Sequence, residues 1–314
     1  MLSAEKKKTA FCLSLVLVMG FLISVSTLAA AQYKRRNLVG DVTGTARHID
    51  PNLKNGWGLA FFPNGPFWVA DNTTGVSTLY DHFGNVLPLV VTVPIAPINP
   101  FLGPIGTPTG LVTNPTSGFV VSANTHSGPA LFLFDTEDGT ISGWNPNVDA
   151  THAVVAVDNS ASFAVYTGLA IATIDDDTFI YAADTNNNKI DVFDSKFNPV
   201  ILGPNAFVDL NVPSGQPVYG IQNIKGKLYV SYASFALVGN VEDGRISVFN
   251  SRTGKFLGQL KDVKGNTIAI DGLWALVFGA GSAANGKTNQ LFFTAGPNFY
   301  ADGLFGVILF PEDE

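Results

Sequence analysis

Oxygen-bearing side chains dominate the polar turns of this chain. Asp71, Asn72, Asp184, Asn186, Asn188, Asp243, Asn298 and Asp302 fall in turns after short apolar runs, and Asn55, Thr107, Tyr166 and Asp271 precede others. Carboxylate and amide oxygens gathered from several turns suit a hard cation such as Ca²⁺, which takes about six to eight oxygen ligands. Asp71, Asp184, Asn186 and Asp271 are therefore the candidate metal ligands, and Ca²⁺ is the one cofactor the residues suggest. The same residue types form hairpin turns, because they cap backbone N–H groups and tolerate left-handed backbone, so turn duty competes with ligation at every one of these positions. Asp184-x-Asn186-x-Asn188 has the alternate spacing of a calcium loop. Lys189 stands where that loop needs glycine and Ser195 where it needs glutamate, which excludes an EF-hand.

Other chemistries have thinner support. His48, His82, His126 and His152 form no i, i+4 pair, and a zinc site needs three or four convergent ligands, so their spacing argues against zinc. His126, in Ser122-Ala-Asn-Thr-His-Ser127, is the histidine best placed to touch a ligand; its competing reading is an exposed loop residue. No GxSxG elbow, P-loop or GxGxxG fingerprint occurs, and an acid or base would have to be a carboxylate such as Asp71 or Asp271. Aromatic residues offer recognition instead of chemistry. Trp57, Tyr219 and Trp274 could stack on a sugar or another flat ligand, with Asn55, Asn72 and His126 supplying hydrogen bonds. Packing between sheets is the competing and favoured reading for the aromatics. Asn72-Thr-Thr74 is also a glycosylation sequon, of consequence in a eukaryotic host.

The elements that must position these residues repeat. The phrase Tyr181-Ala-Ala-Asp-Thr-Asn-Asn-Asn-Lys-Ile-Asp-Val-Phe-Asp-Ser195 reads as strand, polar turn, strand, with counterparts at Trp68–Tyr80, Phe132–Trp144, Tyr229–Phe249 and Phe292–Leu309. A second recurring element is a short apolar strand: Trp57-Gly-Leu-Ala60, Thr109-Gly-Leu-Val112, Thr167-Gly-Leu-Ala170, Tyr219-Gly-Ile-Gln222 and Trp274-Ala-Leu-Val277. From Gly58 to Gly110, Gly168, Gly220 and Ala275 the spacings are 52, 58, 52 and 55 residues, compatible with one four-stranded propeller blade each. Val86 to Val93, Val200 to Leu202 and Phe256 to Leu260 are the candidate fourth strands. Phe119-Val-Val-Ser122 is an extra strand in the second unit, Asp175-Asp-Asp177 a solvated turn, and Pro94 to Pro108 an excursion loop.

No long amphipathic helix pattern interrupts the alternation, so the expected fold is all-β: a β-propeller of five to six four-stranded blades. The last unit lacks an outer strand and Arg36-Asn-Leu-Val-Gly40 lacks a unit, so the N-terminal strand is expected to close the ring by pairing into the last blade.

Residues 1–31 read as a signal peptide. Lys6-Lys7-Lys8 precedes the apolar run Phe11 to Leu28 and then Ala29-Ala30-Ala31, with cleavage expected before Gln32 and a retained anchor as the alternative. Residues 32–314 then form a single propeller domain, secreted or periplasmic. Cleavage removes three lysines and one glutamate, takes the formal net charge from −7 to −9, and takes away the only cysteine, Cys12. Stability must then rest on an apolar core, not on disulfides. So acidic a chain repels phosphate backbones, which excludes nucleic acid as a partner, and no later segment reads as a membrane span.

Asp184-Thr-Asn-Asn-Asn-Lys-Ile-Asp-Val-Phe-Asp194 resembles the NHL repeat, strongly over residues 178–200 and partially over 67–87. Thr136-Glu-Asp-Gly-Thr-Ile-Ser-Gly-Trp-Asn-Pro146 and Asn159-Ser-Ala-Ser-Phe-Ala-Val-Tyr-Thr-Gly-Leu-Ala170 resemble a family of exported, mostly bacterial propeller proteins to which no activity is attached. NHL and neighbouring six-bladed families include calcium-dependent lactonases and organophosphate hydrolases, a zinc-dependent peptide-amidating lyase, sensor domains and RNA-binding modules. The resemblance therefore implies a fold and a range of functions. The RNA-binding branch conflicts with export and acidity. The function expected is an exported, soluble propeller that binds a small molecule, glycan or protein. The alternatives are a Ca²⁺-dependent hydrolase or lactonase at the central channel and a wall-associated structural protein.

Overall fold

Alternating apolar and polar residues broken by Asp-, Asn- and Gly-rich turns produce only strands and one short 3₁₀ turn, Ser160–Ser162, among the described residues. The computed structural model describes residues 32–96, 105–203, 205–208, 214–224, 226–232, 244–249 and 256–310. The expected signal peptide, Asp243 and residues 97–104 of the Pro- and Gly-rich stretch lie outside them.

The first unit is a four-stranded antiparallel sheet of Gly56–Ala60, Phe67–Asp71, Val76–Tyr80 and Val91–Thr92. The second is built alike from Pro108–Thr113, Phe132–Thr136, Thr140–Trp144 and Val154–Asp158. Between its first two strands stands a separate hairpin, Val120–Ala123 and His126–Pro129, where one extra strand was expected. The third unit has three strands, Tyr166–Ile174, Asp177–Asp184 and Lys189–Phe193, and the fourth has two, Val218–Ile224 and Lys227–Tyr232. Ser247–Phe249 pairs with Phe256–Gln259 as its own hairpin, and Gly244–Arg245 pairs with Ala269–Ile270. The last sheet runs Leu273–Phe278, Leu291–Ala295, Leu304–Leu309, and its next strand is Gln32–Gly40, antiparallel to Leu304–Leu309. Asp175 and Asp176 form the two-residue turn of their hairpin with left-handed backbone, φ 48° and 73°.

Two of the three candidate fourth strands are shorter than expected, and proline is the reason; the third, Phe256 to Leu260, forms as Phe256–Gln259. Pro88 cuts Val86 to Val93 down to Val91–Thr92 and a single bridge between Tyr80 and Val86. Pro199 leaves Val200 to Leu202 with one bridge, Phe193 to Pro199, and one bond, Val200 N–H to Val192 O at 2.8 Å. Proline has no N–H to give the ladder and survives only at edges.

Apolar side chains are layered between consecutive sheets. Phe67, Tyr80, Phe292 and Phe305 join the last sheet to the first unit; Trp68, Phe132, Phe134 and Trp144 join the first unit to the second. Leu133, Ile141, Tyr166 and Ile180 join the second to the third, and Tyr181, Val192, Val218 and Ile221 the third to the fourth. Leu260, Ile268 and Ile270 pack on the other face of the last sheet, against Phe293 and Ile308.

The leading strands of consecutive units lie side by side. The glycine of the Gly-Leu phrase permits this: a Cβ on Gly58 would overlap the Thr109 carbonyl, one on Gly110 the Leu169 amide, and one on Gly168 would crowd Gly220 and Ile221. Threonine hydroxyls bind the strands across that gap, Thr109 Oγ1 to the Tyr166 carbonyl at 2.8 Å and Thr167 Oγ1 to the Tyr219 carbonyl at 2.5 Å. Gly110→Ala is accordingly expected to destabilise the protein by about 2 kcal/mol or more, as overpacking against backbone does. Gly203→Ala, where a Cβ meets nothing within 4 Å, should be near neutral. Urea unfolding of both variants checks the difference.

Candidate functional site

The residue before each of these glycines, or before Ala275, faces the meeting point of the leading strands. Thr109 and Thr167 are small and fully buried, and their hydroxyls are spent on the neighbouring strand. Trp57, Tyr219 and Trp274 occupy the same register in the first, fourth and last units and fill the remaining space. Trp57 and Trp274 stack with ring centroids 3.7 Å apart and planes 10° apart. Tyr219 is nearly equidistant from the two, 5.9 and 6.1 Å, so it sits beside the pair. Tyr300 leans on Trp274 at 5.2 Å and is 41% exposed. All three strand aromatics remain partly exposed. The rings pack against one another at the meeting point of the leading strands.

A buried polar chain borders the rings. Trp274 Nε1–H donates to Asn55 Oδ1 at 2.8 Å, Asn55 Nδ2 donates to Asn72 Oδ1 at 3.0 Å, and Asn72 Nδ2 donates to Glu137 Oε2 at 2.9 Å. Four residues from three units are thus fixed in one line. Asn55 holds left-handed backbone at φ 47°, a conformation that Asn tolerates better than most residues. Asn72 is 7% exposed with both ends of its amide engaged, so the Asn72-Thr-Thr74 sequon is closed to a glycan in the folded chain. Burial pushes the Glu137 carboxyl up from its ordinary range, Asp138 adds to the rise, and the Asn72 amide opposes it. Burial also raises the Tyr219 hydroxyl, with contributions from Tyr300 and Glu137. Glu137 and Tyr300 were not among the sequence candidates. Glu137 follows its second strand as Asn72 follows the first unit's, a register match visible only once the hairpins are aligned.

Tyr300 belongs to a strained turn. Asn298, Phe299 and Tyr300 are consecutive non-glycine residues with φ of 55°, 54° and 65°. Each costs on the order of 1–2 kcal/mol, and such strain persists where surrounding contacts fix it. Asp271 Oδ2 accepts from Asn298 N–H at 2.9 Å, and Thr73 Oγ1 donates to the Tyr300 carbonyl at 3.4 Å.

Of the ligand-binding candidates, Asn55, Trp57, Asn72, Tyr219 and Trp274 come together. His126 does not; it is exposed on the hairpin at the edge of the second unit. The metal candidates are spent separately. Asp184 accepts from Val165 N–H at 3.1 Å, Asn187 N–H at 3.2 Å and Asn187 Nδ2 at 2.7 Å, and Lys189 Nζ lies 3.7 Å away. Asn186 Nδ2 donates to the Phe163 carbonyl, and Asp271 caps the Asn298 turn. Asp71 is wholly buried beside Asp50 and Tyr80; burial raises its carboxyl well above the ordinary value, Thr78 Oγ1 donates to Oδ2, and Oδ1 has no partner. Among the described residues no three His, Cys, Asp or Glu side chains converge to hold a metal, and none forms a helix long and apolar enough to cross a membrane.

No family model matches the chain. Two proteins of Acanthamoeba polyphaga mimivirus, both described as uncharacterized, are each 29% identical to it, one over 89% of this chain and 81% of its own length, the other over 90% and 87%. These relatives are viral, whereas the resemblance pointed mainly to bacterial proteins, and no family model supports the NHL likeness of residues 178–200 and 67–87. Among solved structures, hydrazine synthase of Kuenenia stuttgartiensis is 12% identical with a TM-score of 0.38, over 82% of this chain but only 60% of that one. A virginiamycin B lyase of Staphylococcus aureus is 9% identical with a TM-score of 0.34, covering 88% and 99%. A gluconolactonase of Xanthomonas campestris is 13% identical with a TM-score of 0.33, covering 83% and 87%.

Asp135, like Asp71, is a buried carboxylate with an unpartnered oxygen. It is fully buried, Oδ1 receives the Gly110 N–H and lies 2.7 Å from Thr109 Oγ1, and Oδ2 has no partner. Burial outweighs the Thr109 hydroxyl and the Gly110 N–H, which favour the charged carboxylate. Burial pushes it up to about 6. A raised carboxyl binds its proton more tightly folded than unfolded, so its contribution falls as pH rises from the ordinary carboxylate range of about 4 to about 6. Asp135→Asn should flatten the part of the stability–pH slope that lies in that window, as measured by chemical unfolding at a series of pH values.

Proposed function

We propose that this is an exported six-bladed β-propeller whose channel mouth binds a ring-shaped or flat neutral ligand, a sugar unit foremost. The blade count rests on the layering: the last sheet carries the first unit on one face and the 244–270 segment on the other, so that segment takes the position of a blade between the fourth unit and the last. The N-terminal strand, paired to Leu304–Leu309, supplies the outer strand of the last blade and closes the ring.

The single observation that carries the binding reading is the convergence of Trp57, Tyr219, Trp274 and Tyr300 with the Asn55–Asn72–Glu137 chain. Partly exposed aromatic faces stack on the apolar face of a sugar, and fixed amides and a carboxylate at their edge orient its hydroxyls. Glu137 and the Tyr219 and Tyr300 hydroxyls are the groups there able to move a proton, but the exposed ring faces are the dominant surface, so binding outranks catalysis.

Tryptophan fluorescence tests the proposal directly. Trp68 and Trp144 are buried at 4% and 5% exposure, so an external quencher reports Trp57 and Trp274. Cello-, malto- and chito-oligosaccharides titrated onto the mature chain should protect the signal from acrylamide, and Trp274→Ala should weaken binding about tenfold or more. Absence of protection by all three series would sink the sugar reading.

The Ca²⁺-dependent hydrolase alternative would need Asp71, Asp184, Asn186 and Asp271 to reach one ion, whereas each serves its own turn or sheet. Chelator should leave the melting curve of the purified protein unchanged; stoichiometric Ca²⁺ whose removal lowers the melting temperature would restore that alternative.

A further inference from the structure

A cavity of about 630 Å³ opens at the ends of the strands opposite the aromatic site. Its walls come from the N-terminal strand, the turn after Val76–Tyr80 and the segment between Leu273–Phe278 and Leu291–Ala295. The aromatic site is built from the turns at the other ends of the same antiparallel strands, so the two are separate. Its volume falls within the roughly 300–1,000 Å³ of small-molecule sites.

The charge of this cavity runs against that of the protein. In a chain with a net charge of −7, Arg36, Arg47, Lys287 and His82 line one cavity, and no carboxylate does so among the described residues. Neither Arg36 nor Arg47 has a side-chain hydrogen bond or ion pair among the described residues. His82 Nδ1, in the same wall, has no protein partner. Below the cations the lining turns apolar, through Leu38, Val307 and Leu309, while Phe83, 54% exposed, stands at the edge.

The walls are held by buried bonds. Asn285, fully buried, donates to the Phe62, Pro63 and Gly65 carbonyls and accepts from Ala280 N–H, which ties the long turn of the last sheet to the first unit. His82 N–H donates to the Ala284 carbonyl at 3.0 Å, fixing the facing turn. The cavity is thus a seam between two sheets held in register.

We infer that this seam is a binding site for an organic anion with an apolar body, its acid group held by the Arg36 and Arg47 guanidiniums and its body laid on Leu38, Phe83, Val307 and Leu309. Two guanidiniums present paired N–H donors to a carboxylate, and the long side chains cover apolar surface with their stems. The site is independent of the sugar reading at the mouth.

Calorimetric titration of the mature protein with octanoate, and with octanamide as its uncharged counterpart, tests the site. Octanoate should bind with a stoichiometry of one, octanamide about tenfold more weakly or not at all. Arg36→Gln with Arg47→Gln should weaken octanoate about tenfold or more without moving the melting temperature, since neither side chain holds the fold together. Arg47→Gln alone, a turn position, should weaken it about threefold and serves if the double variant does not fold. No octanoate binding, equal binding of octanamide, or binding undiminished by loss of the guanidiniums would overturn the inference.

Discussion

The close approach of the leading strands governs the rest of the molecule. Backbone meets backbone at Gly58, Gly110 and Gly168, where any side chain would collide with the neighbouring strand. Strands that close have no room for apolar filling between them, so hydroxyls satisfy the intervening carbonyls: Thr109 binds the Tyr166 carbonyl, Thr167 the Tyr219 carbonyl and Thr294 the Trp57 carbonyl. A buried carbonyl left unpaired would cost about 1–3 kcal/mol, so these threonines are as much a part of the repeat as the glycines. The residue before each glycine is then forced toward the common centre.

That constraint explains the composition of the candidate site. With two threonines on one side, the centre has space for large side chains on the other, and Trp57, Tyr219 and Trp274 take it. Indole nitrogen is a polar atom that burial would penalise, and Asn55 Oδ1 receives it from Trp274. With its Oδ1 committed to Trp274, Asn55 donates its amide nitrogen to Asn72, and Asn72 passes the bond to Glu137. The aromatic layer and the polar chain are consequences of one packing problem. The same closeness leaves Asp135 and Asp71 with unpaired oxygens in dry surroundings and raises both carboxyls, while the cations gather at the far ends of the strands where water remains available.

Much of this was legible in the sequence, because it depends on period and on small residues. The Gly-Leu phrases marked the leading strands, and their spacing set the register that put Trp57, Tyr219 and Trp274 in one layer. The Asp-Asp turn at 175–176 followed from local chemistry alone. What was not legible depends on contacts between units. Nothing in Thr136-Glu-Asp-Gly139 says that Glu137 ends against an asparagine from another sheet. Tyr300 was hidden because three consecutive left-handed residues, two of them aromatic, form a turn no propensity would favour. The seam of Arg36, Arg47, His82 and Lys287 draws on residues some 250 positions apart in sequence and gives no local signal.

Asp71 and Asp184 show why residue type alone could not assign the candidate ligands. They hold equivalent register positions, each at the end of its second strand and opposite the first residue of its leading strand, Gly56 in one unit and Tyr166 in the other. In the third unit the following turn carries Asn187 and Lys189, which bring an amide, a backbone N–H and an ammonium to Asp184, so both of its carboxylate oxygens have partners. In the first unit Thr74 and Val76 stand at the positions of Asn187 and Lys189, and the Thr74 hydroxyl donates to the Asn52 carbonyl at 2.6 Å. Asp71 is left with Thr78 and a buried oxygen without a partner. Threonine and valine at these two positions withhold the amide and the ammonium that Asp184 receives, and burial raises the Asp71 carboxyl well above its ordinary value.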